Sequence, residues 1–307
     1  MKKPIFIIPV LYFFFTNICS AQNVEIKGRI IQKEKSEPLS FVTIEVKSLA
    51  IGTYTDANGY FTINIPEKNK NDTIDFYALG YEKKKMIINK LINSENKTIK
   101  LNQKYFSIKE VKVKPKKIKV IKLGVKQKKP WRYQVANVFG GQNGHYIKNE
   151  KKLSGFIKSV SFYIAGIGYT DTPFRVRIYK HDKTRNCPGI DLLNENLIVQ
   201  NPNGEGWFTV DVSNYFIRFP KDGMYVMMEW IYTDDKYYYT YGLKVKAEDG
   251  TINEIQAKLY GQSLGNVWKQ KEILFLSKGL GDKWHKLDVK HKGYVNVMIN
   301  AEIESDK

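Results

Sequence analysis

Cysteine is nearly absent. Cys19 and Cys187 are the only two in 307 residues, and Cys19 stands in an N-terminal stretch that reads as a removable leader. Cys187 alone excludes an intramolecular disulfide, so apolar cores must hold the fold. Histidine is scarce as well: His145, His181, His285 and His291 are the full set. Three residues after them come Lys148, Thr184, Asp288 and Tyr294. His-x-x-Glu therefore does not occur, nor does H-E-x-x-H, and the zinc-ligand spacings of metallopeptidases are missing. G-x-S-x-G is missing too, and the glycine-rich "FGGQNGHY" (residues 139–146) lacks the G-K-[ST] of a phosphate loop. That stretch reads as a long connection between strands. Acid is in short supply, with 31 Asp and Glu against 50 Lys and Arg, a formal charge of +19. Helical periodicity is the last absence, and it turns the reading toward β-structure.

The leader is legible from its parts. Lys2 and Lys3 precede the apolar run "IFIIPVLYFFF", and "CSA" closes it with small residues. This is the n-region, h-region and cleavage-site order of a signal peptide over residues 1–21, with Gln22 as the expected first mature residue. Losing Lys2 and Lys3 lowers the charge from +19 to +17. An exported chain of that charge is expected in the periplasm, at the outer-membrane surface or outside the cell. There it would be drawn to polysaccharide, another anionic envelope component or envelope proteins, and not to nucleic acid. The same lysines also serve plain solubility.

Residues 24–101 alternate as strands do. "VEIKGRII" puts Val24, Ile26, Gly28 and Ile30 on one face; "FVTIEVK" does so with Val42, Ile44 and Val46; "YFTINI" with Phe61, Ile63 and Ile65. With "TIDFYALGY" and "KTIKL" this approaches seven strands in a small β-sandwich. Between two of the strands lies "GTYTDANGYFTI" (residues 52–63). Asp56 and Asn58 suggest a calcium loop, but glycine arrives two places early and Tyr60 fills a ligand position, so the stretch reads as a hairpin turn. The lysine-dense run of residues 110–130 reads as an exit strand followed by a basic connector (114–130), able to pair as a charged sheet edge.

The combination of Gly28, "EPLSFVTIEV", "GTYTDANGYFTI", "LGYE" and "IKLNQKYFSIKEVKV" resembles the carboxypeptidase-regulatory-like domain common in exported Bacteroidetes proteins, over about residues 24–113. The resemblance implies a seven-stranded, transthyretin-like sandwich without catalytic residues. Residues 131–307, with "SVSFYIAG", "FRVRIYK", "GWFTVDV" and "GMYVMMEWI", are similar to C-terminal halves that accompany this domain in proteins without an assigned activity. Their spacing predicts a larger, jelly-roll-like sandwich. "FRVRIYK" turns Phe174, Val176 and Ile178 inward and leaves Arg175 and Arg177 outside. "GMYVMMEWIY" is apolar almost throughout and predicts a strand covered on both faces.

The expected fold is therefore all-β, with a leader (1–21), a first sandwich (22–113), a basic connector (114–130) and a second sandwich (131–307). The expected function is a non-enzymatic binding or structural module of the envelope or surface, with no cofactor and no metal. One alternative is glycan binding. All five tryptophans fall in the second block, and Trp207, Trp268 and Tyr239 are the candidate stacking rings. The other is a glycoside hydrolase built on convergence among Asp211, Glu229, Asp234 and Asp235. A Cys187–His181 dyad and a His285–Asp288 pair are the remaining chemical candidates.

Overall fold

The computed structural model describes residues 22–104, 118–134, 140–246, 250–270, 272, 274–286 and 294–305. The leader, the exit strand at 110–113 and Asp288 lie outside them. Among the described residues the first sandwich has seven strands. One sheet orders Tyr60–Pro66, Asn23–Gln32 and Thr98–Leu101; the other orders Ile51–Tyr54, Thr43–Val46, Thr73–Tyr77 and Lys84–Ile87. The alternating positions meet between the sheets: Ile26, Ile30, Phe61, Ile63 and Ile65 face Val42, Ile44, Val46, Ile74 and Phe76 in one buried cluster.

"DANG" turns the chain and holds itself in place. The Asp56 carboxylate accepts the amides of Asn58 (2.9 Å) and Tyr60 (2.8 Å), and Gly59 takes a positive φ of 79°. A side chain there would press within 2.5 Å of the Ile30 carbonyl. Both demands are met by glycine alone.

The second sandwich packs two larger sheets around one core. One contains, in order, Cys187–Asp191, Phe174–Asp182, Met224–Trp230, Gln142–Ile147 and Phe275–Lys278; the other contains Tyr294–Val297, Gln262–Gln270, Gly155–Gly168, Ile299–Ser305 and Lys119–Gly124. The chain crosses several times between the two sheets, as from Gln142–Ile147 to Gly155–Gly168 and on to Phe174–Asp182, in jelly-roll-like fashion. Val160, Phe162 and Ile164 meet Phe174, Val176, Ile178, Met224, Val226, Met228 and Trp230 in the core. Lys119–Gly124 lies on the edge against Ile299–Ser305. Ile121 and Leu123 lean on the core, while Lys122 reaches Glu302 at 3.3 Å.

Two expectations change. Residues 142–146 of "FGGQNGHY" belong to a central strand, Gln142–Ile147, not a connection, flanked by Met224–Trp230 and Phe275–Lys278. Their polarity hides this. Gly144 is required because a side chain there would meet Met227 Sδ at 1.9 Å, and Gln142 is buried as the acceptor of the Tyr179 hydroxyl at 3.0 Å. Arg175 and Arg177 do point away from the core, but solvent does not reach them: they are 1 % and 2 % exposed. A two-stranded ribbon, Tyr238–Lys246 with Ile252–Tyr260, stands apart from both sheets.

Candidate functional site: the cleft between the sandwiches

Met224–Trp230 explains the site. Met224, Val226, Met228 and Trp230 enter the core of the second sandwich, which sends Tyr225, Met227 and Glu229 to the opposite face. All seven are buried. Next to this strand, Phe174–Asp182 sets Arg175 directly across from Glu229 and Arg177 across from Met227. A carboxylate in a covered apolar strand needs cations, and these two supply them.

The cover is the first sandwich. The Tyr54 hydroxyl donates to Glu229 Oε1 at 2.7 Å. Arg177 Nε donates to Glu229 Oε2 at 2.6 Å, and Arg175 Nη1 lies 3.5 Å from the same oxygen. Arg175 Nη2 donates to the Phe41 carbonyl at 2.6 Å. Phe41 has φ of 54°, a left-handed conformation unusual for an aromatic residue. Arg177 Nη1 closes the network on Asp191 Oδ2 at 3.0 Å, and the two guanidinium groups lie over the rings of Tyr54 and Tyr77, each at 5.6 Å. Leu79 of the first sandwich enters the core of the second. A side chain at Gly52 would strike Leu280, and one at Gly80 the Asn194 carbonyl, so the domains meet at backbone distance.

The two carboxyls are driven apart. Burial pushes Glu229 up, but the attraction of Arg177 and Arg175 and the bonds from Arg177 and Tyr54 pull harder and hold it at about 2. Burial raises Asp191 to about 6, with Arg177 drawing it only part-way back. Both oxygens of Glu229 are engaged and it is 1 % exposed, so it can neither give nor take a proton at a substrate.

Beside this network the sandwiches leave a cleft of about 370 Å³. Its aromatic walls are Tyr77, Tyr81, Tyr179 and Trp284. Its cations are Lys47, Lys83, Lys104, Lys278 and Arg177, against the acids Glu45, Asp75 and Asp191. Lys83 reaches Asp75 at 2.5 Å and Lys278 reaches Glu45 at 3.2 Å. Charge of one sign is still in excess. Lys47 is held below the ordinary lysine range, first by burial and then by repulsion from Lys83. Lys278 also sits over the Trp284 ring at 5.9 Å, and Tyr179 meets that ring edge-on at 5.8 Å.

The three candidate stacking rings lie elsewhere, each tied to its own partner. Trp207 is half-buried, edge-on to Tyr163 at 5.7 Å, and its indole N–H donates to the Gln127 carbonyl at 3.2 Å. Trp268 stacks on Trp131 at 4.8 Å, and Arg132 covers the other ring of that pair at 4.5 Å. Tyr239 is half-buried at the base of the ribbon, edge-on to Tyr169. Each acid of the hydrolase alternative outside the buried network is bonded locally. Asp211 accepts the Ser213 amide, Asp234 the Lys236 amide and Asp235 the Tyr232 hydroxyl. Cys187 is raised by burial, the opposite of nucleophile activation, and His181 stacks on Tyr146. His285 pairs with Asp282 at 2.9 Å. No cluster of three or more metal-ligating side chains of the His, Cys, Asp or Glu type occurs among the described residues.

Residues 26–128 match the family model of the CarboxypepD_reg-like domain. The first sandwich is a carboxypeptidase-regulatory-like domain. No curated protein matches the chain. The family match runs past the seven strands of the regulatory-like domain and takes in Lys119–Gly124, which pairs with the second sandwich. The regulatory-like domain supplies Tyr54, Tyr77, Phe41 and half of the cleft, and the second sandwich supplies Arg175, Arg177, Glu229, Asp191 and Trp284. Sequence patterning did not single out Asp191, Lys278 or Trp284. The available signal was Glu229, an acid inside a strand whose composition demands cover on both faces.

Proposed function

We propose that the protein is an exported, non-enzymatic binding module of the cell envelope or surface, and that the cleft between its sandwiches receives an acidic saccharide or a comparable anionic envelope polymer. The observation that carries this is the crowding of Lys47, Lys83 and Lys278 around an aromatic-walled cleft at a domain boundary. Domain boundaries are preferred ligand sites, and the volume falls within the roughly 300–1,000 Å³ usual for them. Burial lowers Lys47 first and repulsion from Lys83 adds to it; an anion would relieve that second part. Tyr81 and Trp284 line the cleft, and aromatic rings are the side chains that pack on the apolar side of a sugar. Binding is favoured over hydrolysis because Glu229 is sequestered and Asp191 is occupied by Arg177. Among the described residues no helix is long and apolar enough to cross a membrane.

Affinity electrophoresis in gels containing alginate, heparin or neutral dextran tests the proposal. Retardation is expected with the two acidic polymers and not with dextran. The double variant Lys47→Ser, Lys278→Ser and the single variant Trp284→Ala should each lose most of it. Equal retardation by dextran, or full retardation of the cleft variants, would overturn the reading. Loss in Trp131→Ala with retention in the cleft variants would move the site to the Trp131–Trp268 stack.

A further inference from the structure

A second basic cavity adjoins the cleft. Lys84–Ile87 and Thr98–Leu101 are each the last strand of a sheet in the regulatory-like domain. Where these edges meet lies a groove of about 520 Å³, lined by Lys33, Lys83, Lys84 and Lys100 against one acid, Glu82. Lys84 Nζ donates to the Lys100 carbonyl at 3.2 Å and ties one edge to the other. Glu82 is already engaged by the Asn102 side-chain amide at 2.8 Å. Among the described residues Lys83 alone of the four lysines pairs with a carboxylate, that of Asp75.

Lysines on sheet edges ordinarily keep strands from pairing with other chains. These four differ because their groove is continuous with the cleft. Tyr81 lines the cleft, Glu82 and Lys84 line the groove, and Lys83 lines both. The cations therefore form one series, from Lys47 and Lys278 in the cleft through Lys83 to Lys84, Lys100 and Lys33. Attraction between exposed charges fades over about 8–10 Å at physiological ionic strength. A row of cations is thus best answered by an anion whose charges repeat along a chain. Resting on the cleft reading above, we infer that the ligand is an extended acidic polysaccharide that leaves the cleft over Lys83 and lies along the groove. The cleft receives one acidic unit, and the groove selects for chain length.

Titration calorimetry with alginate oligomers, from the disaccharide to the dodecasaccharide, tests this. Affinity is expected to rise with length by about tenfold or more, because linked units make the second contact intramolecular. The double variant Lys33→Ser, Lys100→Ser should bind the disaccharide as the unmodified protein does and lose most of the rise. Lys68→Ser, Lys70→Ser removes the same charge from exposed positions that line neither cavity, and it should keep the rise. Circular dichroism and Tm should be unchanged in both. Equal affinity at every length overturns the inference and leaves the cleft reading standing. So does a rise that survives in the groove variant, or one that both variants lose alike, which would assign it to overall charge. No binding of any oligomer overturns the cleft reading and this inference with it.

Discussion

The Tyr54 hydroxyl and the Glu229 carboxylate stand 175 positions apart in the chain and 2.7 Å apart in the fold, each buried and each from a different sandwich. Their bond belongs to a network in which Glu229 also binds Arg177 and Arg175. Such a network adds little over a well-packed apolar contact, yet removing one member leaves the others uncompensated. Glu229→Ala should therefore destabilise by about 3–5 kcal/mol, and Tyr54→Phe by about 1.5–3 kcal/mol, the range for a bond to a charged group. Urea denaturation of both variants and of the double variant provides the check. A cycle showing no coupling between positions 54 and 229 would mean that the domains are not held through this bond.

His145 sets an acid limit. It lies in the central strand Gln142–Ile147, is 3 % exposed, and burial lowers it to about 4. In the unfolded chain it titrates near ~6.5. Between those values the unfolded state binds a proton that the folded state refuses. The folded state therefore keeps its full stability above about pH 6.5 and loses it as the pH falls toward 4, by on the order of 3 kcal/mol. Thermal melts from pH 7 to 4.5 should show a falling Tm, and His145→Asn should flatten that slope. An unchanged slope in the variant would remove His145 as its source.

The turn at Asp56 makes a third test. Asp56→Ala removes the acceptor of two amides and should cost about 1–2 kcal/mol. Gly59→Ala should cost at least as much, since it strains a positive φ and meets the Ile30 carbonyl. Added calcium should leave Tm unmoved. A specific site at a hundredfold excess over its dissociation constant would add about 2.7 kcal/mol, and a calcium-dependent rise in Tm would restore the metal reading.

These residues show what a sequence can carry. Phe61, Ile63 and Ile65, or Phe174, Val176 and Ile178, declare strands because alternation is a local property, and "DANG" declares its turn because its bonds close within five residues. Arg175 and Arg177 alternate too, and that alternation correctly takes them out of the core. It cannot say what lies beyond the sheet, because that depends on a domain more than a hundred residues away. Gln142 and Gly144 mislead for the same reason. Their polarity and size answer to Tyr179 and Met227, partners supplied by the fold. The cleft was illegible because it belongs to neither sandwich alone.

Asp191 should make the cleft respond to pH. It lines the cleft, and burial holds it at about 6. Because that value lies above its unfolded one, ionisation costs stability as the pH rises through 6, opposite in sign to His145. At the site the consequence is simpler. Protonation below pH 6 removes one negative charge from the wall while Glu229, held at about 2, stays ionised and keeps Arg175 and Arg177 in place. An acidic polymer should then bind more tightly at pH 5 than at pH 7, by about tenfold, or ~1.4 kcal/mol. Asp191→Asn retains a carbonyl for the Leu193 amide that Asp191 now accepts, so it should fold and bind at pH 7 as the unmodified protein does at pH 5. Retardation in alginate gels at the two pH values measures this. If Asp191→Asn keeps the same difference between them, the titrating group lies outside the cleft.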